Sequence, residues 1–195
     1  MSAADNAMHF KTVVKTAALR NGLYACFSPK PIPGQAGNGM HINMSVKCSD
    51  GTDKSEAFLA GVLAHVREIT AFLNPTEESY RRFGEMKAPR YITWSPENRS
   101  QLIRIPAAKG EYRRIELRSP DPTANPYLAY ALLIHAGLDG IQKGMLPPQP
   151  VNENLYTAPR SLTAALEQLP SSLTEAKQIA RSSPFVTAIL PEAML

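Results

Sequence analysis

A glycine-rich run, Lys30–Ser45, is the first part of the sequence in which residue types and spacing suit chemistry. Gly34, Gly37 and Gly39 lie within it, and glycine lets the backbone approach a ligand closely because it has no side chain. Glycine content alone favours an ordinary Gly/Pro loop, since a Gly-rich loop by itself is a weak signal. The run is therefore a candidate phosphate-binding loop only together with the residues around it.

The residues that follow these glycines are polar at every second position of a predicted strand, Met40–Val46. His41, Asn43 and Ser45 therefore share one face of that strand. A neutral imidazole is a common metal ligand, and an amide and a hydroxyl beside it suit a nucleotide. The pattern indicates a metal and nucleotide site, and the alternative is a strand with a polar outer face.

A second group of charged residues lies between Asn98 and Arg118. Its five arginines are Arg99, Arg104, Arg113, Arg114 and Arg118. Alternation places Glu116 between Arg114 and Arg118 on one strand face, either as a salt-bridged surface ladder or as a metal ligand beside phosphate-binding arginines. Surface ion pairs contribute only about 0–1 kcal/mol each, so the concentration of arginines favours an anionic ligand. Arg82 is a further candidate for the same site.

Composition and charge exclude several other classes of protein. The hydrophobic fraction of 44% and the net charge of +4 are typical of a globular protein. We expect no nucleic-acid partner, because the arginines alternate with apolar residues and no stacking aromatics accompany them. The longest apolar run, Tyr127–Ile134, is too short to span a membrane. Cys26 and Cys48 form no disulfide framework, and Met1–Lys11 has no secretory signal, so we expect a cytoplasmic location.

The elements that must position these residues follow from hydrophobic periodicity and turn signals. Helices are predicted from Asp5 to Asn21-Gly22, over Ser55–Leu73, from Asn125 to about Gly140, and near Ser161–Leu169 and Ser172–Ala180. Besides Met40–Val46, strands are predicted over Leu23–Phe27, Tyr91–Trp94, Leu102–Ile105 and Arg114–Leu117. We expect one α+β unit with a small sheet. The apolar stretch Phe185–Leu195 at the end, and a helix almost at residue 1, suggest part of a larger protein.

Several short motifs occur in the order in which the glutamine synthetase family, type I, has them. They are Lys30–Ser45, Asn74-Pro75, Ser79–Arg82, Trp94-Ser95, Asn98–Ser100, Ile103–Pro106, Arg113–Arg118, Pro120–Tyr127 and Ala136–Ile141. The chain resembles this family over nearly its whole length. The resemblance implies the C-terminal portion of the catalytic domain at residues 1–195, with an antiparallel active-site sheet backed by helices. It also implies that the N-terminal β-grasp domain and the first part of the catalytic domain are absent.

The resemblance implies ATP-dependent ligation of ammonia to the γ-carboxylate of L-glutamate through γ-glutamyl phosphate, with Mg²⁺ or Mn²⁺. Its implied site residues are His41 and Glu116 for metal, Asn43, Ser45, Arg99 and Arg104 for the nucleotide, Gly37, Arg82, Arg99 and Arg118 for glutamate, and Arg99 for catalysis. Full-length family members are homo-oligomers, dodecamers of two hexameric rings. Because half of the family's metal ligands precede this region, we expect the 195-residue chain alone to be inactive.

Departures from the family pattern leave the amine substrate open. Lys87 stands where a glutamate usually precedes Ala-Pro, Ala36 replaces a common asparagine, and Glu111 replaces a common lysine. Two alternatives therefore remain, a glutamate ligase for a polyamine or other amine, and a non-catalytic homologue. Asn154–Tyr156 resembles a segment that some bacterial members adenylylate on tyrosine, although an unmodified loop tyrosine is the favoured interpretation.

Overall fold

The computed structural model describes residues 1–85, 87–106 and 114–195. Helices in these ranges are α1 (Ser2–Arg20), α2 (Ser55–Leu73), α3 (Glu77–Tyr80), α4 (Pro126–Gln142), α5 (Arg160–Thr163), α6 (Leu173–Ser182) and α7 (Pro184–Ile189), with a 3₁₀ turn at Glu192–Met194. Strands are β1 (Ile42–Met44), β2 (Trp94–Ser95), β3 (Ile103–Arg104) and β4 (Ile115–Leu117). None of the described helices is both long and apolar enough to cross a membrane.

The sheet brings distant parts of the sequence together around β4. Its strand order is β1-β4-β3-β2, with β4 antiparallel to both β1 and β3 and with β2 parallel to β3. The register pairs Glu116 with Asn43 on one side and with Arg104 on the other. Paired residues in neighbouring strands project to the same face. The register therefore places Glu116 beside an arginine that precedes it by twelve residues.

The helices support the sheet through the packing of α2 on α4. Leu59, Val62, Val66 and Ile69 of α2 have no exposed surface, because they recur at the spacing that forms one apolar face. α2 ends at Asn74, whose side chain donates to the Ser119 carbonyl oxygen and to the Asp121 carboxylate, each at 2.9 Å. These two bonds tie the end of α2 to the segment just after β4. Helix packing therefore fixes the position of the central strand.

Most predicted elements are confirmed, some with other limits. Helix α2 has the predicted bounds, α4 begins at Pro126 under an Asn125 cap, and the described strands are shorter than predicted. The helix near Ser161–Leu169 is only four residues long, because residues 167–169 pair with the segment around Tyr91 instead. Helices α3 and α7, which begin at polar caps, were not predicted.

The predicted strand Leu23–Phe27 is wrong. This segment follows the turn at Asn21-Gly22 without regular secondary structure and pairs with no strand among the described residues. Leu23 is 66% exposed and Tyr24 is 82% exposed, so neither contributes to the core of this chain. Apolar alternation fits a strand locally, but a strand also needs a partner, and local sequence does not reveal whether one is available.

Candidate active site

A cleft of about 510 Å³ lies where the glycine-rich loop, β1, β3 and β4 meet. Its described lining residues are Ala36, Gly37, Gly39, His41, Arg82, Lys87, Ala88, Arg99, Arg104, Glu116 and Arg118. Five of these side chains are cationic, and Glu116 is the one carboxylate among them. A concave site with this balance of charge suits a ligand that carries several negative charges.

Glu116 is the residue through which the other charged groups of the cleft are linked. One oxygen, Oε1, lies 3.2 Å from Nδ1 of His41. The other, Oε2, accepts hydrogen bonds from Nε of Arg104 at 2.8 Å and from Nη1 of Arg118 at 3.2 Å. Its side chain is only 10% exposed. Three strands therefore converge on one carboxylate.

Neighbouring groups set the protonation states of this pair. Burial alone would raise the pKa of Glu116, but the hydrogen bonds and charges of Arg104 and Arg118 outweigh burial and lower that pKa below its ordinary value. Burial and the charge of Arg118 lower the pKa of His41, against the opposing effect of Glu116. An ionised carboxylate and a neutral imidazole result near neutral pH, which are the forms that bind metal ions.

Arg82 is held beneath the glycine-rich loop, and the glycines make room for it. A β-carbon at Gly37 would lie 2.4 Å from the Pro29 carbonyl oxygen and 2.8 Å from Cγ of Arg82, and one at Gly39 would lie 3.0 Å from Nη2 of Arg82. Arg82 is 3% exposed, and its Nη1 donates to the Ser119 carbonyl oxygen at 3.0 Å. Gly37 is therefore required by packing against the Pro29 backbone and Arg82, whatever ligand binds there, and Gly39 lies in tight contact with the end of the Arg82 side chain.

Two of the buried guanidinium groups keep hydrogen-bonding capacity. The Nε atoms of Arg82 and Arg118 are buried and have no hydrogen-bond partner among the described residues. Nη2 of Arg118 donates to the Lys87 carbonyl oxygen at 3.4 Å. Buried donors without partners are costly, and an oxyanion in the cleft is the kind of group that would satisfy them.

The structure brings together most of the residues predicted for the site. Those that line the cleft are Gly37, His41, Arg82, Arg99, Arg104, Glu116 and Arg118. Asn43 faces an adjoining groove of about 230 Å³, which shares His41 with the cleft, and its Oδ1 accepts from Nε of Arg114 at 3.1 Å. Ser45 lies beyond the three-residue strand β1 and lines neither space. Arg113 and Glu111 lie outside the described residues.

Two residues at or near the cleft were not among the predicted site residues. Lys87 lines the cleft, whereas in the sequence it was only a departure from a family pattern. Burial raises the pKa of Tyr156, and the charge and hydrogen bonding of Arg118 act against that rise, so the tyrosine lies close to Arg118. In the sequence, Lys87 stands out only by its position before Ala88-Pro89, where the family usually has a glutamate. No local pattern connects Tyr156 to Arg118.

The site residues fit a divalent cation in part. His41 and Glu116 are adjacent and are in their ligating forms, and a nitrogen with an oxygen suits Mg²⁺ less than it suits Mn²⁺ or Zn²⁺. Within residues 1–85, 87–106 and 114–195, no group of three or more His, Cys, Asp or Glu side chains could hold a metal ion. A cation bound here would therefore take its remaining ligands from phosphates, water or other residues.

Comparison with protein families gives a match over the whole chain. The family profile described as "Glutamine synthetase, catalytic domain" matches residues 1–195. Glutamine synthetase of Methanosarcina mazei is 42% identical over 97% of this chain, and that of Thermotoga maritima is 43% identical over 97%. In both cases the match covers 46% of the relative. The chain therefore spans about half the length of these relatives.

Solved structures give a concordant result. A structure described as a GmaS/ADP complex is 35% identical and superposes with a TM-score of 0.82 over 95% of this chain and 46% of its own chain. The ligand-free form of that protein gives a TM-score of 0.81 at the same identity. Both values indicate the same fold in the shared region.

Proposed function

The chain belongs to the glutamine synthetase family, in the region of the catalytic domain, and from that premise we propose that it forms part of an ATP- and metal-dependent ligase. The proposed reaction joins ammonia to the γ-carboxylate of L-glutamate and gives glutamine. One observation carries the proposal: Glu116 lies between a neutral histidine and two arginines, inside a cleft with five cationic side chains. This arrangement suits metal-assisted binding of phosphates.

The proposed chemistry has two steps. An oxygen of the glutamate γ-carboxylate attacks the γ-phosphorus of ATP, the bond from that phosphorus to the bridging oxygen breaks, and ADP leaves. The nitrogen lone pair of ammonia then attacks the γ-carbonyl carbon. The carbon–oxygen bond to the phosphoryl group breaks, phosphate leaves with that electron pair, and the nitrogen releases one proton to solvent. Glutamine, ADP and phosphate are the products.

The arginines of the cleft would bind the anionic groups of both substrates. We propose that Arg99 and Arg104 hold the phosphates, with Arg99 also stabilising the group in transfer, and that Gly37, Arg82 and Arg118 bind glutamate. The buried, unpartnered Nε atoms of Arg82 and Arg118 support a carboxylate ligand, because guanidinium groups bind carboxylates in two-point geometry. We propose that Asn43, which lines the adjoining groove, and Ser45, just beyond the end of β1, contact the nucleotide.

We propose that His41 and Glu116 hold one divalent cation, Mg²⁺ or Mn²⁺. Such an ion, when bound, neutralises phosphate charge and so favours phosphoryl transfer. The chain's own contribution is the neutral imidazole of His41, just before β1, and the ionised carboxylate of Glu116 on the neighbouring strand β4. Arg104 and Arg118 fix the carboxylate in place, so its Oε1 stays directed towards His41.

The first prediction concerns metal-dependent nucleotide binding by the chain. His41→Ala removes one proposed metal ligand, and loss of a ligand costs more than about 1.4 kcal/mol of binding free energy. We therefore expect the variant to bind ADP at least tenfold more weakly than the unsubstituted chain in the presence of Mn²⁺, and with the same affinity in its absence. Isothermal titration calorimetry with and without Mn²⁺ measures both values. His9→Ala, an exposed histidine of α1, is the matched control. Equal loss with and without Mn²⁺ would contradict the proposed metal role.

We propose that the complete activity requires a protein of the relatives' length, which is about twice that of this chain. We propose that the native-length protein is a homo-oligomer, as the family suggests, and that it acts in the cytoplasm. The free cysteines Cys26 and Cys48 support that location. We also propose that residues 1–195 alone form no γ-glutamyl hydroxamate, because their described part supplies two metal ligands at most.

A further inference from the structure

Lys87 has an unusual backbone conformation for its residue type. Its φ of 79° makes it the one non-glycine residue with a positive φ in the described parts of the chain. For a residue with a long side chain this left-handed conformation is unfavourable, and such strain is retained mainly at functional sites. The conformation therefore points to a function for Lys87 in the cleft that it lines.

Contacts on both sides keep Lys87 in this position. The turn is closed by Gly84 N–H donating to the Ala88 carbonyl oxygen at 2.9 Å, and Lys30 Nζ lies 3.0 Å from the Glu85 carboxylate. The Lys87 carbonyl oxygen accepts from Arg118. The turn is thus attached to the glycine-rich loop and to the segment just after β4, and Lys87 is one of the residues that line the cleft.

The charge of the cleft determines which charged groups on a ligand Lys87 can favour. Arg82, Arg99, Arg104 and Arg118 already supply cationic groups for phosphates and carboxylates, and Lys87 adds a fifth. A second positive charge on an incoming amine would be repelled by these groups, whereas a carboxylate on it would be attracted. A flexible ammonium at the cleft wall suits a single-point contact with such a carboxylate.

We propose that Lys87 is a specificity-determining residue that selects the amine substrate by charge. The site accepts neutral amines and amines that carry a carboxylate, and it rejects di- and polycationic amines. This inference rests on the proposed ligase function and defines the acceptor class within it. It also argues against the alternative of a polyamine ligase, because such an enzyme would need the opposite charge at this position.

The test uses three amines of equal chain length that differ in the charge of one end: propylamine, β-alanine and 1,3-diaminopropane. With the native-length protein, ATP and glutamate, kcat/KM for phosphate release is expected to be at least tenfold higher for β-alanine than for the diamine. Lys87→Glu is expected to reduce that ratio at least tenfold, and Lys87→Gln to reduce it by a smaller factor. Lys177→Glu, at an exposed position of α6, should leave the ratio within twofold.

The outcomes separate this inference from the proposed function. A diamine preference in the unsubstituted protein, or a ratio that Lys87→Glu leaves unchanged, overturns the role of Lys87 while ligase activity stands. Absence of glutamate-dependent release with every amine and with ammonium overturns the proposed function and this inference together. A second readout tests the strain: Lys87→Gly should raise Tm and also lose the charge preference. A lower Tm would contradict retention of strain for function.

Discussion

Glu116→Ala is expected to abolish Mn²⁺-dependent ADP binding and to destabilise the fold by about 3 kcal/mol. The substitution removes the carboxylate that lies 2.8 Å from Arg104 and 3.2 Å from Arg118, and Arg118 is only 5% exposed. Two cations are then left close together without a counter-charge, which costs more than the original pair contributed. Urea unfolding measures the loss of stability, and calorimetry measures the loss of binding.

Two further variants separate charge from packing at this position. Glu116→Gln keeps the size and one hydrogen-bond acceptor, so we expect a smaller loss of stability but a similar loss of metal-dependent binding. Glu192→Ala removes an exposed carboxylate near the C-terminus and should change neither value. If Glu116→Ala unfolds at the same urea concentration as the unsubstituted chain, the carboxylate does not organise the cleft as described.

Gly61→Ala is expected to lower the free energy of unfolding by more than about 4 kcal/mol. This is a larger loss of stability than we expect for Glu116→Ala. A β-carbon at this position would lie 2.1 Å from the Ala136 carbonyl oxygen and 2.7 Å from the Gly140 backbone nitrogen. Both contacts are with the backbone of α4, which cannot move aside as a side chain can. We expect loss of cooperative thermal unfolding, or no folded protein at all, measured by circular dichroism.

A matched substitution on the same helix tests whether packing is the cause. Ala64→Gly, at an exposed position of α2, changes helix propensity without altering the contact with α4, and should cost about 1 kcal/mol. A Gly61→Ala variant that unfolds within a few degrees of the unsubstituted chain would mean that α2 and α4 are not in the close contact seen here. The cleft would then lack the support that positions β4.

Features encoded by neighbouring residues could be predicted from the sequence. The apolar stripe of α2 and the Asn74-Pro75 stop gave its bounds, and the alternation around Glu116 predicted both its strand and the face it shares with Arg118. The motif order then predicted the family, which the match over residues 1–195 confirms. Each periodicity, and the spacing within each motif, is contained in a short segment.

Features that depend on distant partners could not be predicted in the same way. The unpaired segment Leu23–Phe27 has the pattern of a strand, yet no described strand lies beside it. Gly37 and Gly39 looked like ligand-contacting glycines, but both pack against Arg82, which comes more than forty residues later in the sequence. The position of Lys87 at the cleft depends on the hydrogen bond that its carbonyl oxygen accepts from Arg118. Tertiary contacts of this kind leave no periodic signal in the sequence.

The substrate dependence of phosphate release is the most direct test of the proposed function. The native-length protein is assayed with ATP and Mg²⁺ or Mn²⁺ while glutamate and ammonium are omitted in turn. We predict that release requires both substrates, and that one glutamine forms for each phosphate. Release that continues without glutamate, or that never occurs with both substrates present, would contradict the assignment of this cleft to a glutamate ligase.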